Sequence, residues 1–179
     1  PPFASQQWPS SPNYTLVAAS EAVRASLLAS ALPVAQAPVV YPGARVELFG
    51  VAALGRELPL PPDGSVQHPL RVCFAGLLMS SKGPHTLLEA MALLKRKGVA
   101  LELMVAGGTF DEVYGQNMKQ FVLQHGLQEQ VRWLGQLTRE QLARMFVLQH
   151  VAVFPSLHPE AFGIVAAEAM ASGLALVST

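Results

Sequence analysis

From residue 71 onward, short apolar runs alternate with longer stretches in which apolar side chains recur every three or four residues. The runs cover 71–75, 101–106, 131–134, 151–154 and 174–178, and each is short enough and rich enough in Val, Leu and Phe to be a buried strand. Between them, residues 84–97, 112–125, 139–149 and 163–172 carry a helical pattern. The 84–97 segment places Leu87, Leu88, Met91 and Leu94 on one face, and Thr138 with Gln141 three residues on forms a capping-box signal. Buried strands separated by helices predict parallel β-α-β units with right-handed crossovers, an α/β fold with a Rossmann-like parallel sheet. Such sheets bind ligands at the carboxyl ends of their strands, which directs attention to the loops there.

The first 70 residues read differently. Residues 1–12 are polar and proline-rich, a mobile lead-in. Tyr14–Ala18 reads as a short strand, and Ser20 as the N-cap of a helix running to about Leu32. Seven prolines, from Pro33 to Pro69, then punctuate a stretch that reads as a linker with short extended pieces. The expected organisation is therefore 1–70 as lead-in, last element of a preceding domain and linker, and 71–179 as the sheet-bearing domain.

Composition narrows the function. With 51% hydrophobic and 13% charged residues, and 12 basic against 12 acidic side chains, the chain lacks the basic surface of a nucleic-acid binder. Lys95-Arg96-Lys97, the densest basic cluster, falls where a helix ends and complements its dipole. The single cysteine, Cys73, excludes an internal disulfide and lies in an apolar run, a core thiol rather than a nucleophile. There is no membrane-length apolar stretch and no signal-peptide pattern, so a cytoplasmic location is expected.

The strand-end loops are Gly76–Gly83, Gly107-Gly108-Thr109, Gly135–Thr138 and Pro155–Gly163. None matches G-x-G-x-x-G or G-x-x-x-x-G-K-[ST], which removes the main support for NAD or P-loop chemistry. In the 163–172 helix, apolar on nearly every side and so expected to be buried, Glu168 stands alone. A buried carboxylate needs a hydrogen-bonding partner, and backbone, arginine and ligand all remain open. Gly163 near the helix start leaves backbone N–H groups accessible to a phosphate. His85 and His158 read as loop residues outside any metal-ligand cluster.

Arg71 to Thr179 resembles the retaining GT-B glycosyltransferases of the GT4 family. Glu160-Ala161-Phe162-Gly163-Ile164-Val165-Ala166-Ala167-Glu168-Ala169-Met170-Ala171-Ser172-Gly173 is similar to that family's E-x7-E signature. Lys82-Gly83, Ala106-Gly107-Gly108, the 131–135 run and Pro155-Ser156 fall in the family's order, and Ala19-Ser20-Glu21 with Val39–Gly43 resembles its interdomain segment. The resemblance implies that Glu160 faces the donor sugar, assisted by the backbone at Phe162, Gly163 and Ile164. It implies that Glu168 accepts from the ribose hydroxyls and that Lys82 pairs with the diphosphate. Gly76, Gly107, Gly108 and Leu137 would shape the nucleotide pocket. The implied activity is sugar transfer from a nucleotide-diphosphate sugar to an acceptor hydroxyl, with retention and without a metal or other cofactor, in polysaccharide or glycoconjugate biosynthesis. Implied partners are the nucleotide-sugar donor and an N-terminal acceptor-binding domain, with no nucleic acid; the full-length enzyme could associate peripherally with the inner face of the membrane. Two departures stand out. Leu77 occupies the position where the family usually has an arginine, and the chain stops at Ser178-Thr179, ahead of the family's glycine-rich loop and closing helices. A chain truncated in this way is expected to transfer no sugar by itself. The alternatives are a GT-B-fold epimerase or phosphorylase, and a non-catalytic nucleotide-binding module.

Overall fold

A computed structural model describes residues 16–30, 37–51 and 59–179. By internal contacts the chain forms two units, Pro1–Gly43 with Glu160–Ile164, and Ala44–Pro159 with Val165–Thr179. In the first, Ala18 forms a single parallel bridge with Val39. Tyr14 and Thr15 of the expected strand lie outside the described residues. Ser20 caps helix α1 (Glu21–Ala29) by accepting from the Val23 N–H at 3.2 Å, as expected; the expected helix end at Leu32 again falls outside the described residues.

The second unit holds a five-stranded parallel sheet in the order β3-β2-β1-β4-β5. Its strands are β1 (Leu70–Ala75), β2 (Leu101–Ala106), β3 (Val131–Gly135), β4 (Val151–Phe154) and β5 (Ala175–Ser178). This is the doubly wound order, and the α/β, Rossmann-like expectation holds. The reversal between β1 and β4 sends successive crossovers to opposite faces of the sheet. One face carries Val72 and Phe74 of β1 against Leu88 and Met91 of α3 (Pro84–Arg96) and Met118 of α4 (Glu112–Gln124). The other carries Cys73 and Ala75 against Phe146 of α5 (Arg139–Phe146) and Ala169 of α6 (Ile164–Ala171). Alternation along β1 thus feeds two cores, each covered by helices. Cys73 is fully buried, and burial pushes its thiol up to about 12, so it is inert at neutral pH.

Local signals set the helix ends. Pro84 opens α3 after Gly83, and Asp111 caps α4 by accepting from the Val113 N–H at 2.9 Å. The Thr138–Gln141 capping box is formed at α5. Lys95, read as a helix-end cation, donates to the carbonyl of Gly126 just past the end of α4.

Three readings need correction. The proline-rich stretch is not all extended, because Val46–Phe49 forms a short helix, α2, whose Phe49 is fully buried 6.2 Å from the Phe146 ring. α5 ends at Phe146 rather than 149, and the Gln149 amide folds back to donate to the Met145 carbonyl. Finally, α6 is apolar on nearly every side but buried on one only. It lies as a single layer on the sheet, so Glu168 and Ala169 face inward while Met170 is 52% exposed.

At the amino ends of the strands, His150 ties β4 to β1. Its backbone N–H donates to the Arg71 carbonyl at 2.9 Å, and the Arg71 N–H donates to its Nδ1 at 2.9 Å. A backbone N–H only donates, so Nδ1 is unprotonated and Nε2–H donates to the Leu60 carbonyl at 2.9 Å. Desolvation, and less so the Arg71 charge, lower the His150 pKa, while the Leu60 carbonyl opposes them. The native state therefore binds this proton more weakly than the unfolded chain. Stability from His150 should be fully present above ~6.5, the free-imidazole value, and lost as pH falls from there through the lowered native pKa. Urea unfolding at pH 7.5 and 5.5 should show a smaller acid loss in His150→Asn than in the parent; equal losses would refute the assignment.

Candidate functional site

The carboxyl ends of β1, β2 and β3 are drawn together by glycines. Gly107, at φ 151°, lies so close to the strand-end loop of β1 that an added Cβ would sit 1.8 Å from the Gly76 carbonyl oxygen. Its N–H donates to the Gly135 carbonyl at 2.8 Å, and the Leu78 N–H donates to the Gly108 carbonyl at 2.9 Å. Three loops are thereby stitched edge to edge beyond the sheet. Between them opens a cavity of about 260 Å³, lined among others by Gly76, Leu77, Gly107, Gly108, Leu137 and Val165. The structure thus brings together four of the pocket residues read from sequence. Leu77 contributes an apolar, 42% exposed side chain to the wall.

After β1, the chain makes one 3-10 turn over Ser80–Lys82 and passes through Gly83 in the left-handed region, φ 66°. A Cβ there would lie 1.9 Å from the Pro155 carbonyl oxygen, so the loops after β1 and β4 also touch backbone to backbone. The Leu157 N–H donates to the Ser81 carbonyl at 2.8 Å. Lys82 is half-buried in this turn. His85, read as a loop residue, lies instead in the first turn of α3, with Nδ1 2.6 Å from the Tyr114 hydroxyl; His158 lies on the loop after β4 and is exposed.

Glu168 is 1% exposed. One carboxylate oxygen, Oε1, pairs with Arg139 Nη1, so an arginine is the partner among those left open by the sequence. Among the described residues no donor reaches Oε2, whereas the fully enclosed orphan polar atom is Gln130 Oε1. Among the described residues Oε2 is therefore unmatched. Glu168 lies one turn along α6 from Val165, and Arg139 one turn along α5 from Leu142; both neighbours line the cavity. Arg139 is the residue that sequence reasoning missed. Its only local signal was its place directly after the capping Thr138, where the side chain is held at the start of a helix. Ser172, also fully buried, donates to the Phe49 carbonyl at 2.9 Å and to the Glu168 carbonyl at 3.0 Å, anchoring the end of α6 to α2.

Glu160, Phe162, Gly163 and Ile164 fall in the first unit. There Glu160 is exposed, the Phe162 ring lies 5.9 Å from that of Tyr41, and Gly163 has φ 82°. Among the described residues, no three His, Cys, Asp or Glu side chains gather into a metal-binding group. No helix among them is long and apolar enough to cross a membrane.

The sequence profile of the family Glycosyl transferases group 1 matches residues 62–179, which takes in the whole sheet and all the loops just described. The chain belongs to the group 1 glycosyl transferases. Curated relatives include the D-inositol 3-phosphate glycosyltransferases of Streptomyces scabiei, 34% identical over 75% of this chain and 31% of the relative, and of Corynebacterium urealyticum, 30% identical over 81% and 35%. The chain thus spans about a third of the length of these group 1 relatives. Among solved structures, Anabaena HepE in complex with UDP and glucose superposes with a TM-score of 0.74 at 21% identity, over 92% of this chain and 44% of that one. Sucrose-phosphate synthase from Thermosynechococcus elongatus gives 0.72 at 27% identity, over 90% and 39%. The group 1 chain has the GT-B glycosyltransferase sheet that the sequence led us to expect.

Proposed function

We propose that this chain carries the donor-binding part of a retaining GT4-type glycosyltransferase, which moves a sugar from a nucleotide-diphosphate sugar to an acceptor hydroxyl in polysaccharide or glycoconjugate biosynthesis. The observation that carries this reading is the buried Glu168 carboxylate, one oxygen held by Arg139 and the other without a donor among the described residues, one helical turn from Val165 in the lining of a glycine-walled cavity at the strand ends. Ribose hydroxyls are donors of the kind that oxygen lacks. Glycines at 76, 107 and 108 let a nucleotide approach backbone groups closely. Lys82 stabilises negative charge that develops on the departing diphosphate. Glu160 accepts from hydroxyls of the donor sugar, with the backbone at Phe162, Gly163 and Ile164 beside it. Two further observations support a nucleotide ligand: membership of a glycosyl transferase family, and the UDP and glucose bound by HepE.

In this reading the reaction runs without a metal in a cytoplasmic enzyme, at the inner membrane face if the enzyme is peripheral. A separate N-terminal domain holds the acceptor. Proximity of that kind supplies on the order of 7–11 kcal/mol in well-oriented reactions, so this chain alone should transfer no sugar.

The diphosphate role has its own test. Lys82→Ala should weaken binding of a nucleoside diphosphate by roughly 1.5–3 kcal/mol, the range for hydrogen bonds to charged groups, and leave binding of the matching nucleoside nearly unchanged. Calorimetric titration with both ligands separates the outcomes. Equal loss for the two would mean a folding defect, and no loss for either would place the phosphates away from Lys82.

A further inference from the structure

We propose that Arg139 is a positioning residue for the nucleotide site, clamping Glu168 Oε1 so that Oε2 is the oxygen presented to a ribose hydroxyl. This rests on the donor-binding reading above and adds to it a residue that neither the family motif nor the chain's own pattern singled out. Three observations carry it. The first is the asymmetry of the pair: the Glu168 side chain is 2% exposed and that of Arg139 50%, so the carboxylate is a buried group served by a cation at the rim. The second is that a single contact, Arg139 Nη1 to Glu168 Oε1, is made; among the described residues Oε2 has no donor. Arginine–carboxylate pairs frequently use both oxygens in a fork, and this one leaves Oε2 without a donor among the described residues. The third is rigidity. Arg139 is the first residue of α5, fixed there by the Thr138–Gln141 capping box, and Glu168 is fixed in α6, whose end Ser172 anchors to α2. Two groups held on helices whose adjacent turns, at Leu142 and Val165, line the same cavity keep a constant relation to it.

The chemistry follows from burial. Without its counter-ion, a carboxylate this deep would be left uncompensated and would turn toward another donor, and so accept less well from a hydroxyl. Arg139 therefore acts through Glu168 and need not touch the nucleotide. Lysine could supply the charge but not the planar, directed donor, so Arg139→Lys should recover part of the function.

The test is calorimetric titration of the 179-residue chain with the four common ribonucleoside diphosphates, followed by the 2′-deoxy form of whichever binds. The parent should prefer the ribo form by roughly tenfold, the worth of one such hydrogen bond. Glu168→Gln and Arg139→Ala should each bring that preference close to one, while Arg139→Lys keeps an intermediate value. A purely structural ion pair would lower thermal stability and affinity for both ligands together and leave the ratio intact. If Glu168→Gln loses the preference and Arg139→Ala keeps it, this inference falls and the ribose reading stands. If Arg139→Ala binds more tightly at an unchanged ratio, Arg139 is a competitor for the carboxylate and the inference also falls. If Glu168→Gln keeps the preference, or no ribonucleoside diphosphate binds the parent, the donor-site reading itself fails. Should Arg139→Ala not fold, Arg139→Lys decides: a ratio equal to the parent's overturns the proposal.

Discussion

Gly107→Ala is expected to be the most damaging single-methyl change in the sheet-bearing unit. The added Cβ would sit 1.8 Å from the Gly76 carbonyl oxygen and 2.8 Å from its carbon, both backbone atoms that no rotamer change can move. Relief requires pulling the β1 and β2 loops apart, which would break the bonds from Gly76 to Ala106 and from Leu78 to Gly108. A loss of about 4 kcal/mol or more is expected from backbone strain combined with lost hydrogen bonds. Gly98→Ala is the control. It too has positive φ, 77°, but nothing lies within 4 Å of the added carbon. Left-handed strain alone should cost about 1–2 kcal/mol there. Urea unfolding of the two variants should separate them clearly; equal losses would show that the loops are not in the close contact described.

Phe49→Ala should cost about 3–5 kcal/mol, the range for emptying a fully buried aromatic site. The ring packs in the core that holds Cys73, Ala75 and Phe146, and the Phe49 carbonyl receives the Ser172 hydroxyl at 2.9 Å. Val46, three residues earlier in the same short helix, is 59% exposed, and Val46→Ala should stay within about 0.5 kcal/mol. Chemical denaturation distinguishes a structural α2 from an ornamental one. A Phe49→Ala loss below that of Val46→Ala would contradict the packing.

These two sites mark the limits of what the sequence disclosed. The short continuous apolar runs and the 3.6-residue faces between them were enough to locate all five strands and the helices α3 to α6, because a buried parallel sheet must be apolar throughout and its helices apolar on one side. Phe49 escaped because a four-residue helix between prolines and glycines shows no periodicity, and its burial depends on α5, almost a hundred residues later in the chain. Glu168 was visible as a carboxylate in an apolar helix. Its partner was not, since Arg139 lies 29 residues away on a different helix and only the fold sets them face to face. The glycines of the cavity could be placed at strand ends from sequence alone, whereas the 1.8 Å approach that makes Gly107 irreplaceable is a property of the packed loops. The all-round apolar α6 misled in the opposite direction, because local hydrophobicity does not say how many layers cover a helix.

The proposed donor site takes the ribose of a nucleoside diphosphate at the strand-end cavity, one helical turn from Glu168. Its most direct test is calorimetric titration of the parent chain and Glu168→Gln with ribonucleoside diphosphates, with circular dichroism confirming that both are folded. Saturable one-site binding by the parent, weakened in the variant by about 1–3 kcal/mol, is the predicted result. Binding of equal strength by the two folded proteins would contradict the claim.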